Sequence, residues 1–191
     1  MKGDITVRTV TPDDAAQLLD IYSHYVENTA ITFEYDVPSL EEFRERIHRT
    51  LLRYPYIAAE KDGAILGYAY AGVFKDRAAY DYSVEVTVYT DRSYHKQGIG
   101  RVLYTELERV LKSMGITNLY ACIGVPADEA DEYLDNNSMD FHMHMSYRLA
   151  GRFHKCGYKF GRWYDMVWLE KIISEHGEDL PVITKYQEIQ I

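Results

Sequence analysis

The sequence is poor in cysteine and proline and contains no long apolar run. Only two cysteines and five prolines occur in 191 residues, which excludes a disulfide framework and predicts a reducing cytoplasmic environment. No apolar stretch approaches the roughly 18–20 residues that cross a bilayer, and residues 1–6 lack the apolar core of a signal peptide. Acidic residues outnumber basic ones by 30 to 21, giving a net charge of −9. Nucleic acids and membranes are therefore not expected as partners.

The remaining composition is that of one soluble globular domain. Hydrophobic residues make up 47% of the chain and charged residues 27%, and the length is enough for a single core. Neither repeats nor a linker interrupt the chain. We expect one domain over residues 1–170, followed by a helical turn and tail over residues 171–191. Residues 128–135 hold five acids, a pattern typical of a solvated loop.

Hydrophobic periodicity and turn residues predict a mixed α/β order rather than a regular alternation of strands and helices. Helices are predicted to begin near Pro12, Pro38, Gly98 and Ser138. The third of them has the clearest apolar face and should end at Gly115. Its apolar residues are Val102, Leu103, Leu107, Val110, Leu111 and Met114. Strands are predicted at residues 5–8, 56–60, 65–74, 81–89, 119–125, 148–155 and 162–169.

The most informative segment lies at the start of the third helix. Residues 94–101 read YHKQGIGR and follow a strand-like run. Glycines at 98 and 100 let the backbone approach a phosphate, and the first N–H groups of the helix would point at it. Lys96 and Arg101 add positive charge in an acidic chain. The segment therefore predicts a pyrophosphate-binding loop.

Glu85 is the best candidate for a general base. It lies in an apolar strand, where Ser83 and Thr87 share its face. Burial among apolar neighbours would raise the pKa of its carboxyl group, which suits a base. The alternative is a glutamate paired with a lysine or arginine on the strand face.

Other candidates for chemistry are weaker. His142 and His144 are spaced so that they point to different helix faces, and we predict no metal site. Cys122 and Cys156 are interpreted as buried structural thiols, so no acyl-cysteine is expected. Lys75, Arg77 and Tyr80, taken alone, favour a charged turn between strands.

Four segments together resemble a known family. They read ITFE at 31–34, KDRAAYDYSVEVTVY at 75–89, SMDFH at 138–142 and GYKFGRWYD at 157–165. With the Gly-x-Gly turn, they resemble the GNAT N-acetyltransferases over residues 4–170, especially the phosphinothricin acetyltransferase branch. That branch acetylates the amine of phosphinothricin, methionine sulfoximine or methionine sulfone. The resemblance implies a GNAT fold, a mostly antiparallel sheet of about six to seven strands flanked by helices.

The resemblance also implies roles for individual residues. Glu85 would be the base, directly or through water, and His142 would relay the amine proton or protonate the leaving thiolate. Acetyl-CoA would be bound by Val88, Tyr89, His95, Lys96, Gln97, Gly98, Gly100, Arg101 and Ser138. The acceptor would be bound by Phe33, Lys75, Arg77, Tyr80 and Tyr89. The amine would attack the thioester directly, and the protein would form a homodimer.

Three departures from the family pattern leave the acceptor open. His95 stands where glutamine or arginine is usual, and Ser146 with Tyr147 replaces a common Gly-Phe pair. The usual asparagine before Ser138 is Asp135, although Asn136 or Asn137 could substitute. Two alternatives therefore accompany the small-acceptor hypothesis. One is a protein or peptide N-acetyltransferase, and the other is a non-catalytic acyl-CoA-binding domain.

Overall fold

The computed structural model describes residues 4–127 and 131–188. Within these ranges the chain forms seven strands and four α-helices. The strands are β1 (Thr6–Thr9), β2 (Tyr56–Lys61), β3 (Ala64–Val73), β4 (Ser83–Thr90), β5 (Asn118–Pro126), β6 (Arg148–Lys159) and β7 (Arg162–Ile172). The helices are α1 (Ala15–Asn28), α2 (Leu40–Leu51), α3 (Ile99–Ser113) and α4 (Asn137–His144). All seven strands belong to one mostly antiparallel sheet, which confirms the predicted α/β fold class.

The chain divides into two compact units. The first contains the described residues up to Ile21, then Pro38–Leu119 and the residues from Ile172 onward. In it, β1, β2, β3 and β4 are successive antiparallel neighbours. The β2–β3 hairpin turns at Asp62 and Gly63, whose φ angles of 51° and 80° suit a tight two-residue turn. Ser39 caps α2, as predicted, because its hydroxyl accepts the Glu42 N–H at 3.1 Å.

The third helix packs much as its sequence predicts. Leu103, Leu107, Val110 and Leu111 are buried, and the chain leaves the helix through Gly115 with a φ of 85°. Val102 was expected on the apolar face, but this expectation is wrong, since Val102 is 40% exposed. Residue 102 lies one position before Leu103, and a step of about 100° per residue turns it away from the buried stripe.

The second unit contains Tyr22–Val37 and Tyr120–Lys171. Within it the strand order is β5, β7, β6, and β6 pairs antiparallel with β7. The register shifts between Phe153 and Gly157, where β6 bulges. A small core of Ala30, Leu134 and Tyr164 lies in this unit.

Several boundaries differ from the predicted ones for local reasons. β4 begins two residues later than expected because Ala78–Tyr80 form a 3-10 turn. β6 extends further than predicted because its pairing with β7 resumes beyond the bulge, and β7 continues to Ile172. Part of the acidic stretch, residues 128–130, lies outside the described residues. After β7, Tyr186 is buried, and its N–H donates to the Arg53 carbonyl at 3.1 Å.

Candidate active site

The predicted phosphate loop has the geometry of an anion site. Gly98 is the N-cap of α3 with a φ of 83°, and no side chain caps the helix. The first intrahelical bond runs from Val102 N–H to Gly98 oxygen at 3.1 Å, so the amides before Val102 are not used by the helix ladder. No acid occupies the first turn. Backbone donors and the helix dipole therefore suit a phosphate at this end.

The side chains of the loop are presented to solvent. His95, Lys96, Gln97 and Arg101 are exposed, and Lys96 has a left-handed φ of 61°. Gln97 also holds the loop, since its amide donates to the Ser93 carbonyl at 3.3 Å. Gly100 lies in the first turn of α3. Positively charged side chains and backbone N–H groups outside the helix ladder thus occur together between His95 and Arg101, as the sequence predicts.

Asp91 organises the approach to this loop and was missed by sequence reasoning. Its carboxylate accepts the Ser93 N–H at 2.7 Å, and its own N–H donates to the Leu66 carbonyl at 2.9 Å. The first contact starts a 3-10 turn at Arg92–Tyr94, and the second ties that turn to β3. The spacing Asp-x-Ser is the signal that could have revealed it.

Glu85 lies half-buried on β4, between Val84 and Val86, which are buried on the opposite face. Burial raises the pKa of its carboxyl above the ordinary value of 4.5, while the charge of Lys75 lowers it to a smaller extent. The predicted direction is therefore confirmed. Lys75 does influence Glu85, as the alternative of a paired glutamate supposed, but burial is the larger effect.

Open space lies at Gly72, the cross-strand partner of Glu85. Gly72 on β3 lies directly opposite Glu85 in the antiparallel pair, and a Cβ built on Gly72 would meet no atom within 4 Å. Paired residues project to the same face of a sheet. The glycine therefore leaves room on this face for a small reacting group beside Glu85.

Aromatic rings line the same face of β2, β3 and β4. Tyr70 pairs with Thr87 and Tyr68 with Tyr89. Tyr56 stacks on Tyr70 at 4.8 Å and on Tyr68 at 5.7 Å, and Tyr68 lies 5.6 Å from Tyr89. The tyrosine count of the sequence could not assign these rings to one face. Together they give Glu85 a poorly hydrated environment, which agrees with its raised pKa.

The predicted cofactor contacts on β4 lie near the end of that strand. Val88 pairs with Ala69, and Tyr89 is approached closely by β3. A Cβ on Gly67 would lie 2.8 Å from the Tyr89 carbonyl oxygen, so only glycine fits there without displacing β4. Gly67 therefore fixes the backbone that carries Val88 and Tyr89.

Lys75, Arg77 and Tyr80 lie between β3 and β4 with exposed side chains. The Tyr80 ring packs edge-on against Phe74 with centroids 5.9 Å apart. The Lys75 ammonium lies 5.2 Å from the Phe74 ring. The segment is also anchored, because Arg53 donates to the Asp81 carboxylate at 2.8 Å. Sequence reasoning missed this ion pair, which ties the end of the segment that carries Lys75 and Arg77 to Arg53.

His142 is the most deeply buried of the predicted site residues, with 3% of its surface exposed. Its Nδ1 lies 2.7 Å from the Ser138 carbonyl oxygen. A carbonyl can only accept, so Nδ1 carries the hydrogen and Nε2 holds the lone pair of a neutral ring. Burial lowers the pKa of His142 to about 4. Near neutral pH the side chain can therefore accept a proton at Nε2 but has none to give there.

The ends of α4 bear on two of the departures from the family pattern. Asp135 accepts the Asn137 N–H at 3.0 Å, while Asn136 is the N-cap without a side-chain bond. At the other end Ser146 has a φ of 71°, a conformation that favours glycine. The usual glycine would therefore be less strained at this position than serine.

Phe33 lies half-buried in the second unit, where its ring is 6.1 Å from that of Tyr164. Gly157 leaves the space for it, because a Cβ there would lie 2.3 Å from the Phe33 ring. The ring is therefore held by backbone on one side.

The prediction of buried thiols is wrong. Cys122 and Cys156 are both exposed and not disulfide-linked. On β5 the buried positions are Leu119, Ala121, Ile123 and Val125, so alternation turns Cys122 to the other face, where its Sγ contacts Met166 Sδ at 2.8 Å. Cys156 lies on the β6 bulge. Among the described residues, no group of three or more potential metal ligands was found.

Sequence comparison decides the family. The family described as "Acetyltransferase (GNAT) domain" matches residues 7–168. The chain belongs to the GNAT acetyltransferase family. As a GNAT protein it is 34% identical over 162 residues to the phosphinothricin N-acetyltransferase of Streptomyces viridochromogenes, covering 85% of this chain and 84% of the relative.

Two further comparisons agree with this membership. The GNAT chain is 27% identical over 173 residues to the L-methionine sulfoximine/L-methionine sulfone acetyltransferase of Salmonella typhimurium, covering 90% of this chain and 96% of that relative. A crystal structure of a GNAT superfamily phosphinothricin acetyltransferase from Sinorhizobium meliloti in complex with AcCoA superposes with a TM-score of 0.82 at 28% identity, covering 95% and 98% of the two chains. The predicted family and branch are therefore confirmed.

Within the part of the chain that the structure describes, no helix combines the length and the apolar character needed to span a bilayer.

Proposed function

We propose that this GNAT protein transfers the acetyl group of acetyl-CoA to the amine of a small amino-acid-like acceptor of the phosphinothricin, methionine sulfone or methionine sulfoximine type. The observation that supports this proposal most directly is that Glu85, which is half-buried, pairs across the sheet with Gly72, where space is open. The family supplies the reaction class, and the names of the relatives supply the acceptor class.

Acetyl-CoA fits the features of the first unit. The uncapped start of α3 at Gly98 offers backbone donors without a nearby acid, and His95, Lys96, Gln97, Gly100 and Arg101 belong to the same stretch. Such a terminus stabilises a pyrophosphate through several N–H groups at once. We assign the N–H groups of Val88 and Tyr89 to the thioester carbonyl, and Ser138 to a further contact with the cofactor.

The chemistry removes two protons from the acceptor nitrogen, one before the amine attacks and one after the nitrogen–carbon bond has formed. An α-amine arrives largely as an ammonium ion near neutral pH, and Glu85 takes its proton, directly or through water. The free amine attacks the thioester carbonyl and forms the nitrogen–carbon bond, after which the nitrogen loses its second proton. Carbon–sulfur cleavage then releases the thiolate, which takes up that proton and leaves as the thiol. The donors at Val88 and Tyr89 stabilise the negative charge on the carbonyl oxygen. His142 accepts a proton at Nε2, which favours its relay role over protonation of the thiolate.

The anionic end of the acceptor is assigned to Arg77 and Lys75. A guanidinium binds a carboxylate or phosphinate through two parallel hydrogen bonds. Tyr80, Tyr89 and Phe33 are likewise assigned to acceptor binding. Lys75 also serves Glu85, because its charge favours the ionised base.

Replacing Arg77 with alanine tests the acceptor assignment. We expect the acceptor KM to rise about 10–100-fold, since hydrogen bonds to charged groups contribute about 1.5–3 kcal/mol. Acetyl-CoA affinity should not change, because Arg77 lies outside the loop at α3. The measurement is thiol release from acetyl-CoA as a function of acceptor concentration.

The control is Arg49→Ala, which removes an exposed arginine that pairs with Glu45 on α2. Arg77→Lys separates bidentate binding from charge alone, and we expect it to restore only part of the affinity. An unchanged acceptor KM in Arg77→Ala would contradict the assignment. A peptide that outperforms every free amino acid would instead favour a protein acceptor.

We also propose a homodimer. Large apolar side chains lie exposed on β6 and β7 of the second unit, namely Leu149, Phe153, Tyr158 and Trp163. A long, exposed and partly apolar strand is suited to pairing with another chain. A second copy is the occupant that the resemblance to this branch favours. Sedimentation equilibrium should give twice the chain mass of 22.3 kDa, and Trp163→Lys should shift the mass toward one chain. A monomeric native protein would contradict this proposal.

A cytoplasmic location is proposed on the cysteine content and on the donor. Neither cysteine forms a disulfide, as expected in a reducing compartment, and acetyl-CoA is a cytoplasmic metabolite.

A further inference from the structure

A buried lysine lies in the second unit outside the residues assigned to the reaction. Lys159, near the end of β6, is 2% exposed, and it is the only buried lysine or arginine among the residues that the structure describes. A buried ammonium is unfavourable unless its hydrogens are bonded. The hydrogen-bond acceptors of Lys159 therefore indicate its structural role.

The partners are two carbonyl groups of one loop. Lys159 Nζ donates to the Thr29 oxygen at 2.9 Å and to the Thr32 oxygen at 2.8 Å. Both lie in the segment that follows α1, which we define as the acceptor loop, residues 29–35. The loop has neither helix nor strand structure, so its carbonyl groups need partners from elsewhere. One ammonium thus fixes two points of the loop directly before Phe33.

Other contacts hold the loop at the same points. The Tyr22 hydroxyl lies 2.9 Å from Thr32 Oγ1, and Thr29 Oγ1 donates to the Tyr25 carbonyl at 2.7 Å. These bonds connect the loop to α1, whereas Lys159 connects it to β6. The position of Phe33 is therefore determined from two elements.

β6 also shapes the space for the Phe33 ring. Gly157 precedes Lys159 by two residues, so both project to one face of the strand. A Cβ at Gly157 would lie 2.3 Å from Phe33 Cε2. On this strand face, Gly157 leaves space for the Phe33 ring and Lys159 donates hydrogen bonds to the acceptor loop.

We propose that Lys159 is a positioning residue that holds the acceptor loop and thereby fixes Phe33, which is assigned to acceptor binding. The proposal rests on the proposed function only in the role given to Phe33. The two carbonyl acceptors favour the ammonium form, whereas burial lowers the pKa of Lys159 and the charge of Glu34 opposes that effect. The ammonium also lies 5.0 Å from the Phe160 ring, a further favourable contact.

The test replaces Lys159 with methionine, an unbranched side chain that is one atom shorter and lacks the ammonium donors. We expect the acceptor KM to rise about tenfold, as for the loss of one or two net hydrogen bonds, with the acetyl-CoA dissociation constant unchanged. Deuterium uptake by peptides covering residues 29–35 should be faster than in the native protein. The control is Lys155→Met, an exposed lysine on the same strand, for which neither quantity should change.

A general loss of structure would behave differently. It would lower the active fraction and speed exchange throughout the second unit without raising the acceptor KM. If Lys159→Met does not fold, Lys159→Gln is measured in the same way, since it keeps one donor. A double-mutant cycle with Phe33→Leu adds a second criterion, because residues that act through one loop should give less than additive effects on KM.

The outcomes separate this proposal from the proposed function. A native protein that acetylates no amino-acid-like acceptor contradicts the function, while uptake at residues 29–35 still decides whether Lys159 holds the loop. Unchanged uptake together with an unchanged acceptor KM overturns the role of Lys159. Faster uptake with a raised acceptor KM supports it.

Discussion

Replacing Glu85 with glutamine is expected to lower kcat by roughly 10²–10⁴-fold, the range that a positioned general base contributes. The amide keeps the size of the side chain but cannot take a proton from the acceptor. The dissociation constant of acetyl-CoA should stay nearly unchanged, because the phosphate loop lies at the start of α3. Steady-state kinetics and equilibrium binding measure the two quantities separately.

The control is Glu60→Gln, another half-buried strand glutamate, whose carboxylate accepts from Arg8 at 2.6 Å. It should lower stability without a specific loss of kcat. The acidic limb of the pH profile gives a second criterion. Burial raises the pKa of Glu85 above 4.5. As the pH is lowered, the loss of activity should therefore be centred at a pH higher than 4.5. Lys75→Gln removes a charge that favours the carboxylate, so the limb should move to higher pH. A full kcat in Glu85→Gln would remove Glu85 from the mechanism.

Replacing His142 with phenylalanine is expected to lower kcat by about 10²-fold, the lower end of the effect of proton transfer by a side chain. Phenylalanine fills much of the same volume but offers no lone pair. The pKa of about 4 means that the native ring is already neutral throughout the working pH range. Consequently no limb from the titration of His142, acidic or basic, should appear near its ordinary pKa of 6.5 in the native pH profile.

His144 provides a matched control on the same helix. Its Nδ1 makes the equivalent contact with the Asp140 carbonyl at 2.6 Å, yet its side chain is exposed. His144→Phe should therefore keep full kcat. If both variants lose activity equally, the effect belongs to α4 as a structure rather than to proton transfer by His142.

Local patterns account for the parts of the fold and site that the sequence could predict. The start of α3 depends on Gly98 and on helical periodicity within about four turns, and the position of Glu85 depends on strand alternation. Both signals involve residues close together in the chain. The resemblance added the acceptor residues, for which spacing alone favoured a charged turn.

The unpredicted features depend on partners distant in the chain. Lys159 and Thr29 are 130 residues apart, and the Arg53–Asp81 pair joins α2's end to the turn before β4. Nothing in the neighbouring residues marks Lys159 as buried, because a lysine on a strand is ordinarily exposed. Cys156 was misplaced because the β6 bulge breaks the alternation on which the prediction of burial depended.

The most direct test of the central claim is thiol release from acetyl-CoA by the native protein, with phosphinothricin, methionine sulfone, methionine sulfoximine, free amino acids and peptides as acceptors. We predict turnover with the sulfone, sulfoximine or phosphinate compounds, together with an acetylated amine product identified by mass. Binding of acetyl-CoA without turnover on any acceptor would contradict the claim and favour a non-catalytic acyl-CoA-binding protein.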